Sequence, residues 1–121
     1  MSRGIAGRFR HLVDDLVNML PNTKQESKLD RKQAKDVIDD LCFELSCNNY
    51  LFFEQHKHKD LFMWASKSPN GPSVKFLITN IHTTGEMKLT GNCLKYSRPL
   101  LSFDGEFENS AHTKLIKEML M

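Results

Sequence analysis

A chain of 121 residues, with 40% hydrophobic and 26% charged residues, fits one globular domain and excludes both a disordered tail and a fibre. No run approaches the roughly 20 apolar residues that a membrane helix needs. Seventeen Lys+Arg against fifteen Asp+Glu leave a formal charge of +2, too small to establish nucleic-acid binding and too positive to exclude it.

Ile5, Phe9, Leu12, Val13, Leu16, Val17 and Leu20 recur at helical spacing and predict an amphipathic helix from Ile5 to Leu20, stopped by Pro21 and Asn22. Arg3, Arg8 and Arg10 precede any acid, which imitates a mitochondrial presequence until Asp14 and Asp15 end the likeness. Positive charge at a helix start opposes the helix dipole. Two readings of those arginines stay open: a solvated face paired with nearby acids, or contact with an anion.

Residues Asn22 to Leu29 read as a polar connector with a short strand near Lys28 and Leu29, and Asp30 as the N-cap of a second helix. Ala34, Val37, Ile38, Leu41, Cys42 and Leu45 form its apolar stripe, whereas Asp36, Asp39, Asp40 and Glu44 make its outer face acidic. Cys42 belongs to that stripe and reads as core rather than nucleophile. The cysteines Cys42, Cys47 and Cys93 are odd in number and form no C-x-x-C pair, which argues against zinc or a disulfide framework and for reduced thiols in the cytosol or nucleus.

From Ser46 the texture changes to strands. Tyr50 to Phe53, Leu61 to Ala65 and Val74 to Ile81 are apolar runs separated by the turns His56 to Asp60 and Ser68 to Pro72, the second holding an Asn-Gly step. They predict an antiparallel meander. His82 to Arg98 lacks periodicity. Leu100 to Phe103 reads as a short strand, and Ser110 as the cap of a last helix carrying Leu115, Ile116, Met119 and Leu120. That helix stays apolar up to Met121, as though the domain continued.

Chemistry is thinly represented. His56 and His58 share a strand face and with Asp60 make the best metal candidate, but a His/Lys turn without a third nearby ligand is ordinarily solvated, so no metal and no cofactor are expected. Gly85 and Gly91 miss the P-loop spacing, and Gly91 is followed by Asn92 and Cys93 instead of Lys-Ser/Thr. No G-x-S-x-G occurs, and no paired carboxylates sit in an apolar setting. An enzyme is therefore not expected. Lys88, Asn92, Lys95, Tyr96 and Arg98 supply phosphate and ribose donors and one ring for stacking, although Asn92 also suits a turn and Tyr96 a core.

Three runs weigh on that choice: Gly71-Pro72-Ser73-Val74-Lys75-Phe76, Thr90-Gly91-Asn92-Cys93-Leu94-Lys95, and Ser97-Arg98-Pro99-Leu100-Leu101-Ser102-Phe103-Asp104. Together with Ser2-Arg3-Gly4-Ile5, Cys47-Asn48-Asn49 and Leu115-Ile116-Lys117-Glu118, in order along the chain, they resemble the Brix-domain family. The resemblance implies an α/β fold, half of a Brix domain built like an anticodon-binding domain, with a largely antiparallel sheet packed against two to three helices. It implies a nucleolar, non-catalytic ribosome biogenesis factor that binds precursor rRNA during assembly of the large (60S) subunit. Its partners would be other assembly factors, a helical protein among them, with no membrane. Arg3, Arg8, Arg10, Lys88, Asn92, Lys95 and Arg98 become the expected RNA-binding residues. The family carries a strand ahead of the Ser-Arg-Gly turn and a second half beyond the last helix. Residues 1–121 are thus expected to be an N-terminal half whose bare sheet edge and uncovered last helix favour self-association. Tyr96 departs from the glycine frequent at that place. An alternative is a protein-interaction module in a pre-ribosomal particle, docking a partner on the aromatic strands without direct RNA contact.

Overall fold

The computed structural model describes residues 1–26, 28–30, 32–57, 59–88 and 98–121. Helices α1 (Gly7–Met19) and α2 (Ala34–Glu44) precede strands β1 (Asn49–His56), β2 (Asp60–Lys67) and β3 (Ser73–Ile78). A short helix α3 (Thr84–Met87), a 3-10 turn (Gly105–Glu108) and helix α4 (Ala111–Leu120) follow. The strands form an antiparallel sheet in the order β1-β2-β3, the meander expected from the two turns.

Alternation along β1 explains the layering, because successive side chains leave opposite faces of a sheet. Phe53 packs with Ile5 and Val13 of the α1 region and with Leu61. Phe52, next in the chain, packs with Ala34, Ile38 and Cys42 of α2. Register agrees, since Phe53 lies opposite Met63 and Phe52 opposite Trp64. The sheet is therefore sandwiched, with α1 on one face and α2 on the other. Leu61, at 1% exposure, is the most enclosed large side chain.

The turn between β2 and β3 has a steric origin. Asn70 adopts a left-handed φ of 55°. A Cβ on Gly71 would meet Lys67 Cβ and the Lys67 carbonyl oxygen at 2.5 Å, so only glycine fits there. The Gly71 amide donates to that same carbonyl at 3.1 Å.

Residues 1–3 meet the outer edge of β1 at one position. Ser2 N–H donates to the Phe53 carbonyl at 2.8 Å, and Ser2 forms a parallel bridge to Leu29. The Leu29 amide reaches the Met1 carbonyl at 3.0 Å, and the Arg3 amide reaches the Leu29 carbonyl at 3.2 Å. The short strand expected near Leu29 exists as this bridge, and Ser2 meets the outer edge of β1 at Phe53.

Several boundaries differ from the sequence reading. Asp30 does not cap α2: its carboxylate pairs with Arg3 at 3.4 Å, and its carbonyl accepts from Gln33. The helix starts after Gln33, with no side-chain cap. The third strand ends at Ile78 instead of Ile81, since its pairing with β2 stops at Leu61, near the start of that strand; the Ile81 carbonyl accepts from Arg8 instead. Leu100 to Phe103 is not a strand; Leu100 is fully exposed, and Phe103 turns its ring edge-on to Phe107, 5.1 Å between centroids. Ser110 holds the N-cap position of α4, but its carbonyl, not its hydroxyl, is used, accepting from Lys114 at 3.0 Å and from the Thr113 hydroxyl at 2.9 Å.

Candidate nucleic-acid interface

The basic start of α1 and the segment after β3 are far apart in sequence, and the fold joins them. Arg8 is the fastener. Its Nη2 donates to the Ile81 carbonyl at 2.8 Å and to Glu86 Oε2 at 3.3 Å, and its Nε lies 3.2 Å from Glu86 Oε1. This two-armed guanidinium–carboxylate contact fixes orientation as well as distance. His82 Nδ1 stands 3.6 Å from Glu86 Oε2. Two turns further along α1, Asp15 accepts from the Thr84 amide at 2.9 Å and from its hydroxyl at 2.7 Å.

Lys88 follows directly as the C-cap of α3, exposed and left-handed at φ 48°. Arg10 is exposed on α1, and Arg98 is exposed where the described chain resumes. Among the described residues these three cations have no ion-pair partner. Arg3 and Arg8 differ, since both are engaged by carboxylates, though Arg3 is still 69% exposed. Asn92 and Lys95, with Tyr96, lie outside the described residues. The first turn of α1 contains no acid, and its N-cap, Ala6, contributes no side-chain bond.

Sequence reasoning missed the Arg8–Glu86 and Asp15–Thr84 contacts. Only charge at matching ends of two distant segments hinted at them. It also missed a cluster on the α2 side of the sheet. There Lys75 Nζ lies 2.9 Å from buried Glu54 and sits 4.2 Å above the Phe62 ring and 4.9 Å from the Trp64 ring. The Trp64 indole N–H also donates to Glu54 at 3.3 Å. Phe52 and Phe53 are core residues at 6% and 3% exposure, so those rings of the aromatic strands are not a free docking surface.

A cavity of about 740 Å³ lies elsewhere, between α1, the C-terminal end of α2, β1 and the last turn of α4, bordered by Leu16, Leu20, Leu41, Leu51 and Met119. Its lining is chiefly apolar. Among the described residues no group of three or more His, Cys, Asp or Glu side chains is placed to hold a metal ion. His58 lies outside the described residues. Burial chiefly, with minor contributions from neighbouring charges, pushes the Cys42 thiol up from its ordinary value, as suits a core cysteine. No described helix is long and apolar enough to cross a membrane.

An α/β half-sandwich of this order, with a Thr-Gly-Asn-Cys-Leu-Lys run leading to Ser-Arg-Pro, defines a family, and the sequence model of the Brix domain matches residues 2–121. The chain belongs to the Brix-domain family. It is 52% identical over 120 residues to the ribosome biogenesis protein BRX1 of Saccharomyces cerevisiae. The identity is again 52% over 120 residues to the BRX1 homolog of Homo sapiens, and 45% over 119 residues to that of Dictyostelium discoideum. These matches cover 99%, 99% and 98% of this chain, which spans 41%, 34% and 36% of the respective relatives.

Proposed function

We propose that this chain serves ribosome biogenesis in the nucleolus by binding precursor rRNA during large-subunit (60S) assembly, without catalysis, as the N-terminal half of a Brix domain. The similarity to ribosome biogenesis proteins supports the assembly role. The observation that carries the RNA reading is the Arg8 contact with Glu86 and Ile81. It brings the basic start of α1 beside residues 81–86, next to Lys88, while Arg10, two residues on from Arg8, leaves α1 on its other side.

In this reading Arg10, Lys88 and Arg98, with Lys95, neutralise phosphates, and Asn92 and Arg3 add donors that set register. Arg8 acts through position, holding residues 81–86, next to Lys88, against α1. Other assembly factors, including a helical protein, join the same particle. Sedimentation of the tagged chain from cell extract, with and without RNase and at two salt concentrations, tests the proposal. Co-migration with large-subunit precursors that is lost on RNase treatment is expected. Migration only as free protein in untreated extract overturns it, and co-migration that survives RNase favours protein docking instead.

A further inference from the structure

Helix α2 commits one stripe to the sheet, through Ala34, Ile38 and Cys42. Its opposite stripe carries Phe43 with Asp40, Asp39 and Asp36 at the preceding i−3, i−4 and i−7 positions, which share one helix face. Phe43 is 87% exposed, the most exposed large apolar side chain in any described helix or strand. A phenyl ring at the centre of an outward face contributes nothing to the core.

The carboxylates around it are also unexplained by folding. Asp39 accepts from the Ser68 hydroxyl at 3.2 Å, whereas Asp36, Asp40 and Glu44 have no hydrogen-bond or ion-pair partner among the described residues. Asp36, Asp40 and Glu44 follow one another at i,i+4, where like charges repel. Glu44 ends the helix, and no base lies in its last turn, so the helix dipole is opposed rather than offset. The face thus combines an apolar anchor with a carboxylate ring at a cost to its own helix.

We infer that the outward face of α2 docks a basic polypeptide segment, which lays an apolar side chain against Phe43 and its Lys or Arg groups against Asp36, Asp39, Asp40 and Glu44. Charge complementarity selects this occupant, because RNA phosphates would meet the carboxylates of Asp36, Asp39, Asp40 and Glu44 here. The arginines of α1 stand on the other side of the sheet, so the two surfaces do not compete. The inference does not depend on the RNA reading.

The test is fluorescence anisotropy of the 121-residue chain with a labelled helical peptide that repeats lysine and leucine at helical spacing. Two control peptides replace lysine by glutamate or leucine by alanine. The lysine–leucine peptide should bind best, and its affinity should fall about tenfold with Phe43→Ser and again with Asp36→Asn/Asp40→Asn, the loss expected of a central anchor. Both variants should keep the parent's circular dichroism, since neither site touches the core; Phe43→Lys is a second removal of the ring. Equal peptide affinity for parent and variants overturns the inference. So does a loss of oligouridine binding with Phe43→Ser, which would assign the ring to base stacking.

Discussion

Asp15, in the middle of α1, accepts both the backbone amide and the hydroxyl of Thr84, 69 residues away, at 2.9 and 2.7 Å. It supplies from a distance the cap that Thr83, the N-cap of α3, does not make with its own side chain. Asp15 and Arg8 lie two turns apart on one side of α1, so α1 grips the 81–87 segment at two points.

Replacing Asp15 by Ala should destabilise the chain by about 1–3 kcal/mol, because a partly buried amide and hydroxyl lose a charged acceptor. Thermal melting should fall by several degrees. A double-mutant cycle with Thr84→Val should show that the two losses are not additive; additive losses would mean that the contact carries no coupling.

Charge reversal separates the cations proposed to face RNA from the positioning one. Arg10→Glu, Lys88→Glu and Arg98→Glu should each weaken binding to an rRNA fragment and lower the slope of log affinity against log salt by about 1. Arg8→Ala should reduce affinity while moving the salt slope less, since its charge is already spent on Glu86 at 3.2 Å. A slope unchanged in all four variants would remove the assignment.

The legible parts of the fold were those set by local pattern. The helical stripes of α1 and α2, the three strands and the Asn70-Gly71 turn follow from periodicity and from one left-handed residue. What sequence hid was tertiary competition for the same groups. Asp30 looks like a cap until Arg3 takes its carboxylate, and Ile81 looks like strand although β2 offers β3 no partner beyond Leu61. The site shows the same division. Its cations were visible as residue types, but which are free and which are bound depends on Glu86, 78 residues from Arg8, and on Asp30, which pairs with Arg3.

Leu61 tests the α1 side of the sandwich. At 1% exposure, packed with Ile5, Val13 and Phe53, it leaves a cavity that the sheet cannot close when cut to Ala. The expected loss is about 2–5 kcal/mol, a large share of the about 5–15 kcal/mol that holds a domain together. Urea denaturation should show a lower midpoint with an unchanged slope. A midpoint within experimental error of the parent would place the packing of α1 in doubt.

Self-association is the expected outcome of surface that the described chain leaves uncovered. β3 has no strand on its outer edge among the described residues, and Leu77 is 54% exposed on it. Leu101, Leu115 and Met121 add apolar surface at 54%, 47% and 68% exposure. Light scattering should show a mass that rises with concentration, and Leu77→Lys should lower it, as charge on an edge strand does. A concentration-independent monomer would count against it.

The Glu108–Lys117 pair ties the 3-10 turn to α4. The Lys117 ammonium, by hydrogen bond first and by charge second, holds the Glu108 carboxyl below its ordinary value. A depressed folded-state value means that the unfolded chain binds protons more readily, so the contact adds stability above the ordinary glutamate range. That contribution disappears as pH falls through the lowered value. Glu108 is at the surface, so the effect is confined to the docking of α4 and is screened by salt. In an NMR titration the Glu108 carboxyl should titrate below the free amino acid's value, and Lys117→Met should return it upward. The Phe103–Phe107 ring contact beneath the pair should loosen over the same acidic interval. A Glu108 midpoint unaffected by Lys117→Met would show that the ammonium does not hold α4 against the turn.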